Sequence, residues 1–319
     1  MKHEELINTH QAYKDNQLDW EFHLRSYIGG SSYKDGAYLL KYIQESEAEY
    51  NKRIDLTPLD NHCKNVVSIY SSFVWRIPPT QNLGALSEDA SANAMLKDAD
   101  LDGRNFNAFM RDAQTWSDIY GHCWVIVDKP ESNSKTRADE LEQEIRPYLS
   151  LITPENALDW KYERAASGRY VLAYLKVREM QSGETSVIRE WSPNKIDTYQ
   201  TDGDTVTLLS TMDNPIGRIP AVPLYGQRSP IKGIGVSRIS DISRMQQAIY
   251  NELSEIEQLI RISNHPSLVK TESTDASAGA GGIITVPDDE QVKPYLLQPS
   301  GASLTGIMDS IKAKVEAIN

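Results

Sequence analysis

Apolar positions recur every three and four residues through the first 120 positions, and that spacing predicts helices. Val66, Ile69 or Tyr70, Phe73 and Ile77 form one stripe, stopped by Pro78 and Pro79. Phe106, Phe109 or Met110, Ala113 and Tyr120 form another, with Gly121 where the residue after a helix belongs. Both stripes are expected to be core. Residues 81–93 are small, polar and aperiodic, which predicts a surface loop.

From Cys123 the period shortens to that of strands. The run Cys123, Trp124, Val125, Ile126 and Val127 ends at Asp128 and Pro130, and residues 131–146 are almost wholly charged or polar, the composition of a solvated insertion. Short runs at 148–153, 170–178, 187–191, 195–200 and 205–210 follow, each bounded by turn residues. Asp202-Gly203 between the last two reads as a hairpin turn with both positions at positive φ. The middle third is therefore expected to be an antiparallel sheet, and the class α+β.

A loop rich in proline and glycine at 214–235 leads into the longest helical pattern. Ile239, Ile242, Met245, Ile249, Leu253, Ile256 and Ile260 keep one seam apolar over about 32 Å at about 1.5 Å per residue. Ser237 is the expected N-cap, and Pro266 ends the run by restricting His265. The opposite face bears Asp241, Arg244, Asn251, Glu255 and Gln258. Residues 276–282 are small and flexible, Ile283, Ile284, Thr285 and Val286 are strand-like, and a last helix begins near Ser303 with Ile307, Ile311, Val315 and Ile318 on one face.

Composition narrows the function classes. With 319 residues and 39% hydrophobic content the chain has room for about two domains. Two cysteines, Cys63 and Cys123, are too few for a disulfide framework, and no run approaches the length needed to span a bilayer, so a cytoplasmic, membrane-free protein is expected. A formal charge of −12 disfavours tight binding to polyphosphate but suits a wall past which a polyanion slides.

Candidate chemistry is sparse. His62-Cys63 and His122-Cys123 offer zinc-type ligands, yet neighbours on a strand face opposite ways, so His122 and Cys123 can hardly share one ion and a metal site is not expected; nor is a Cys–His nucleophile, since no third residue suggests itself as the orienting group. Gly233-Ile234-Gly235-Val236-Ser237-Arg238 begins like a dinucleotide fingerprint but has Arg238 in place of the third glycine; a turn into the long helix is the plainer reading. The glycines at 279–282 are not followed by Gly-Lys-Ser/Thr, so no P-loop is present. No catalytic residue and no cofactor are assigned. A hydrolase using His122, or a nuclease using clustered acids, is the rival enzyme class.

Several segments in order resemble bacteriophage portal proteins, the rings at one capsid vertex through which double-stranded DNA enters and leaves. The long helix opened by Gly233 to Ser237, with Gln247-Ala248-Ile249-Tyr250-Asn251 and then His265-Pro266-Ser267-Leu268-Val269, is similar to that family's stem helix running into its clip. Gly282 to Pro287 and Lys293 to Pro299 resemble the clip's return to a second stem helix, and Tyr27 to Gly30, Tyr120 to Asp128, Arg146 to Tyr148 and Thr153 to Glu155 resemble the wing.

The resemblance implies an α+β wing at 1–232, a stem helix at 233–264, a small α/β clip at 265–302 and the start of a second stem helix at 303–319; no residue is assigned to the tunnel loop or crown. It further implies a ring, dodecameric in this family, packed along the seam from Ile239 to Ile260. Asp241, Asn251, Glu252 and Glu255 would face the channel, and Lys270, Glu272, Ile283, Ile284, Val286 and Lys293 of the clip would dock the packaging terminase and then neck proteins. The implied partners are copies of itself, viral DNA, terminase, major capsid protein, and head-tail adaptor and tail proteins. The implied place is the virion's head-tail vertex, after assembly in a bacterial cytoplasm. A head-tail adaptor, or another virion ring without a DNA channel, is the alternative.

Overall fold

In a computed structural model of the chain, residues 3–130, 136–264, 267–277, 282–288, 293–297 and 302–318 are described. Seven helices come first: α1 (His3–Ile7), α2 (Gln11–Ile28), α3 (Gly30–Asp35), α4 (Glu47–Leu56), α5 (His62–Val74), α6 (Ala90–Lys97) and α7 (Phe106–Tyr120). The middle holds β1 (His122–Asp128), α8 (Arg137–Glu142), β2 (Tyr148–Ile152), β3 (Ala157–Arg164), β4 (Tyr170–Ser182), β5 (Thr185–Trp191), β6 (Lys195–Asp202), β7 (Thr205–Asp213) and β8 (Ala221–Tyr225). Two-residue strands β9 (Gln227–Arg228) and β10 (Gly235–Val236) precede α9 (Ser240–Asn264), β11 (Ser267–Thr271), β12 (Ile283–Val286), β13 (Tyr295–Leu297) and α10 (Ala302–Ile318). The α+β class and the antiparallel middle third are as expected. No helix among the described residues is long and apolar enough to cross a membrane.

The chain forms two compact units that do not follow chain order: Met1–Tyr27 with Lys64–Ser240, and Ile28–Cys63 with Asp241–Asn319. The wing-like segment expected to run unbroken to 232 therefore yields residues 28–63 to the second unit. The reason lies in side chains treated below, Tyr33 and Arg53, which pack on residues of α9.

The first unit is built on two antiparallel sheets, β2-β1-β8 and the meander β3-β4-β5-β6-β7. Strand β1 is central and buried on both faces, which is why its sequence is continuously apolar rather than alternating. Cys123 and Val125 face α7 with Phe109, Ala113 and Leu149. Trp124 and Ile126 face the larger core with Tyr13, Trp20, Trp160, Leu175, Trp191 and Ile196.

The five-stranded sheet carries two adjacent cross-strand rows. Trp160, Leu175, Trp191, Ile196 and Met212 are register neighbours and line the core. Asp159, Lys176, Glu190, Asp197 and Thr211 form the next row, on the opposite face. Lys176 is buried there, and its Nζ donates to the carbonyls of Asn8 at 2.6 Å and Glu5 at 3.3 Å, just past and within α1. Burial lowers its pKa, while carboxylates in the row oppose that shift.

Some local expectations shift. The β6–β7 turn is Gly203-Asp204 and not Asp202-Gly203, because Asp202 pairs with Thr205; of the two turn residues only Gly203, at φ 53°, is left-handed. The loop at 81–93 already contains the start of α6, capped by Asp89, whose carboxylate accepts from Ala92 N–H at 2.9 Å. The stripe of α7 is core, as expected. That of α5 is not: Cys63, Val67 and Ser71 are buried, whereas Ile69, Phe73 and Ile77 are exposed.

Candidate functional site

In the second unit, α9 buries a stripe different from the one its aliphatics mark. Ser243, Gln246, Ile249, Tyr250 and Ser254 are fully enclosed. Two of its polar side chains meet partners from residues 53 and 63: Gln246 Oε1 accepts from Cys63 N–H at 3.0 Å, and Ser254 Oγ accepts from Arg53 Nη1 at 3.1 Å. Tyr250 packs edge-on to Tyr33, with ring centroids 5.3 Å apart. Of the aliphatic seam, Ile239 and Ile249 are buried, Ile242, Met245, Leu253 and Ile256 are half-buried, and Ile260 is exposed. The seam is thus left partly open within the chain.

The side of α9 expected to be open and polar is instead occupied by residues 38–46. Asn251 Oδ1 accepts the Leu40 N–H at 2.7 Å and its Nδ2 donates to the Tyr38 carbonyl at 3.1 Å, while the Tyr42 hydroxyl donates to Glu255. Burial first, and then that carboxylate, push the Tyr42 phenol up to about 12.

Arg53 of α4 fixes this strap from beneath. Its guanidinium grips Glu45 through Nε and Nη2, both at 2.7 Å, donates to the Leu40 carbonyl at 2.5 Å and lies 4.1 Å from the Tyr42 ring centroid. Both members of the pair are buried, and hydrogen bonding from Arg53 holds the Glu45 carboxyl below its usual range. With its backbone held on the inner side, the strap presents Leu40 and Ile43 to solvent.

Glu252 is occupied as well. It accepts from Ser310 Oγ at 2.8 Å and Lys314 Nζ at 2.5 Å, one turn apart on α10. The four residues expected to face a channel are thus not one open face: Asp241 is exposed, but Asn251, Glu252 and Glu255 are bonded within the unit. The single-sequence reading missed this because none of the binding partners is near α9 in sequence.

Among the docking candidates, Ile283, Ile284 and Val286 lie on β12, in the mixed sheet β12-β11-β13 with β11 and β12 parallel. Ile283 and Ile284 are exposed; Lys270 is half-buried, its Nζ on the Thr274 carbonyl at 2.9 Å; Glu272 and Lys293 are exposed. His265, Pro266 and residues 278–281, expected to stop the helix and form the flexible stretch, lie outside the described residues.

The glycine motif before α9 has a packing reason in the first unit. A Cβ on Gly235 would stand 2.0 Å from the Gly121 carbonyl oxygen, and one on Gly121, at φ 96°, 2.6 Å from that of Gly235. A Cβ on Gly233 would strike the Trp160 indole. The backbones cross here because the last turn of α7 is capped from this segment: Arg238 N–H donates to the Asp118 carbonyl at 2.9 Å and Ser237 Oγ to that of Ile119 at 2.6 Å. Ser237 also meets the start of α9 as expected of an N-cap: its Oγ accepts from Ile239 N–H at 3.2 Å and its carbonyl from Ser240 N–H at 3.5 Å, where the helix begins.

Arg238 also donates from Nε to buried Asp118 at 2.6 Å; burial raises that carboxyl's pKa, opposed by Gln114 and Arg238. His122 is wholly buried, with Nδ1 accepting from Gly235 N–H at 3.3 Å, and burial pushes it down to about 3. Both cysteines are buried and pushed up to about 12.

Among the described residues no group of three metal-ligating side chains gathers. Asp98, Asp100 and Asp102 before Gly103 carry a spacing seen in calcium loops, a signal the sequence reading passed over. Here Arg146 holds Asp98 at 2.7 Å and Arg104 holds Asp100, so guanidinium groups satisfy those two carboxylates. A cleft of about 560 Å³ beside α5 and α7 is lined by Ser71, Trp75, Asn105, Arg111 and Asp112, and Arg111 Nε is spent on Ser71 Oγ at 3.4 Å. Set against known protein families and curated proteins, the chain matches none.

Proposed function

We propose that this chain is the subunit of a portal-like ring, a structural protein without enzymatic activity, through which double-stranded DNA passes at one vertex of a bacteriophage capsid. The observation that carries the reading is the choice α9 makes. It encloses serines, glutamine and tyrosine inside its own unit and leaves Ile242, Met245, Leu253, Ile256 and Ile260 half-open or exposed. A surface of that kind is stabilised by covering, and neighbouring copies in a ring would cover it.

The order of elements supports the same reading: a long helix, a small sheet excursion through β11–β13, and a helix that returns to Glu252 through Ser310 and Lys314. In this reading α9 is the stem and the excursion the clip, which docks the terminase and neck proteins. The first unit contributes most of the wing. Asp241 remains as the channel-facing candidate on α9.

The adaptor reading, a ring with no DNA channel, is favoured by one observation: Asn251, Glu252 and Glu255 are spent on intrachain bonds. Electron microscopy of the purified chain tests both. Rings with an axial hole wide enough for a duplex are expected; a closed ring favours the adaptor, and monomers throughout refute both. Ile256→Asp should abolish the rings, since it would bury a charge without a partner.

A further inference from the structure

Helix α5 has two apolar faces, and the chain uses one of them. The inner face is Cys63, Val67 and Ser71, closed by Trp75, whose indole donates to Gln114 at 2.5 Å. The outer face stands in solvent: Ile69 is 57% exposed and Phe73 71%, with Tyr70 and Val74 beside them and Ile77, three residues past the helix end, 80% exposed. Five such side chains present on the order of 500 Å² of apolar surface, against the ~800 Å² that one partner contributes to a stable protein interface.

The stretch of chain that carries this face lacks the acids that dominate elsewhere. From residue 61 to residue 87 there is no aspartate or glutamate, in a protein whose formal charge is −12. Lys64 and Arg76 flank the stripe, and Arg238, its guanidinium already paired with buried Asp118, lies 4.6 Å from the Tyr70 ring centroid. A few cations around five apolar side chains displace too few counterions to hold a nucleic acid. The same cations suit an acidic protein surface, and this chain is itself acidic.

We propose that the outer face of α5, centred on Phe73 and Ile77, is a contact surface for a second copy of this chain. Its lack of acids means that it meets a different, acidic surface of the neighbour and not its own image. Such a contact is heterologous, the kind that closes rings, and to that extent the inference rests on the ring reading above.

The test compares the full chain with a Phe73→Asp, Ile77→Asp double variant, reading mass in solution and thermal melting together. Both sites are exposed, so melting of the dissociated chain should be unchanged, while self-association weakens by at least about 100-fold. A variant that forms rings as readily as the wild type overturns the α5 contact and leaves the ring reading standing. A wild-type dimer that the variant loses keeps the α5 face as a self-contact but overturns its heterologous geometry and, with it, the ring. A wild type that never associates overturns both.

An Ile77→Cys variant gives a second readout should the double variant not fold. Its added thiol should label with maleimide at least about 10-fold more slowly in assembled protein than in dilute monomer, and Cys63 and Cys123, both buried, do not compete. Equal labelling in the two states overturns the proposal. So does binding of a fluorescent DNA duplex that depends on Phe73, which would assign the face to nucleic acid.

Discussion

His122 gives the chain a calculable weakness to acid. Its imidazole has no exposed surface and lies edge-on to Trp20, 5.6 Å between centroids; Nε2 has no hydrogen-bond partner. Burial lowers its pKa from 6.5 to about 3. Between those values the unfolded chain binds a proton that the native chain refuses. His122 therefore costs no stability above its unfolded pKa, and stability is lost below it at about 1.4 kcal/mol per pH unit, until the native imidazole also protonates.

Over the whole window that amounts to roughly 5 kcal/mol, a large share of the ~5–15 kcal/mol that holds a typical protein folded. His122→Asn keeps an acceptor for Gly235 N–H and removes the titration, at a constant packing cost. Urea unfolding of both proteins from neutral pH down to about pH 4 isolates His122, because every other group is common to the two. The wild-type advantage at neutral pH should shrink by about 1.4 kcal/mol per pH unit below pH ~6.5 and then reverse. Stability curves that stay parallel across this range would refute the burial of a neutral imidazole.

Gly121→Ala should cost at least about 2 kcal/mol in denaturant unfolding, since it adds a Cβ 2.6 Å from the Gly235 oxygen at a left-handed φ. Arg53→Met leaves Glu45 buried without its cation and should destabilise the second unit by about 3–5 kcal/mol, visible as loss of hydrogen-exchange protection in residues 38–56. Glu252→Gln should speed exchange in α10 while changing global stability by less than about 1 kcal/mol, because that ion pair is partly solvated. A thiol reagent should modify Cys63 and Cys123 only on unfolding, and prompt reaction of either in native protein would contradict their burial.

Period and turn chemistry made much of the fold legible in the sequence. The stripe of α7 ending at Gly121, the meander of short strands and the length of α9 all follow from local rules. Strand β3 was passed over because Asp159, Lys161 and Glu163 break its apolar run, and it is held by pairing to β4. What local rules could not reach were the partners. Nothing near α9 announces that Asn251 will bind residues 38–40, more than 200 positions away, or that Arg53 will reach Ser254.

The same limit explains the two misplaced faces. Spacing marks an apolar stripe but not what lies against it, so the stripe of α5 read as core and the polar side of α9 as open. In each case the partner decided, and partners are set by the whole chain.

The two rows on the five-stranded sheet bear on how its strands find their pairing. Trp160 to Met212 and Asp159 to Thr211 are one residue apart on every strand, so slipping β3, β4, β5 or β6 by a single position would set its indole or aliphatic group among charged side chains and drive a charge into the core. A one-residue shift of that kind turns every side chain of a strand to the other face. Here each such shift is met by a penalty at the centre of the sheet, and the row that looks least favourable for stability keeps the strands in step.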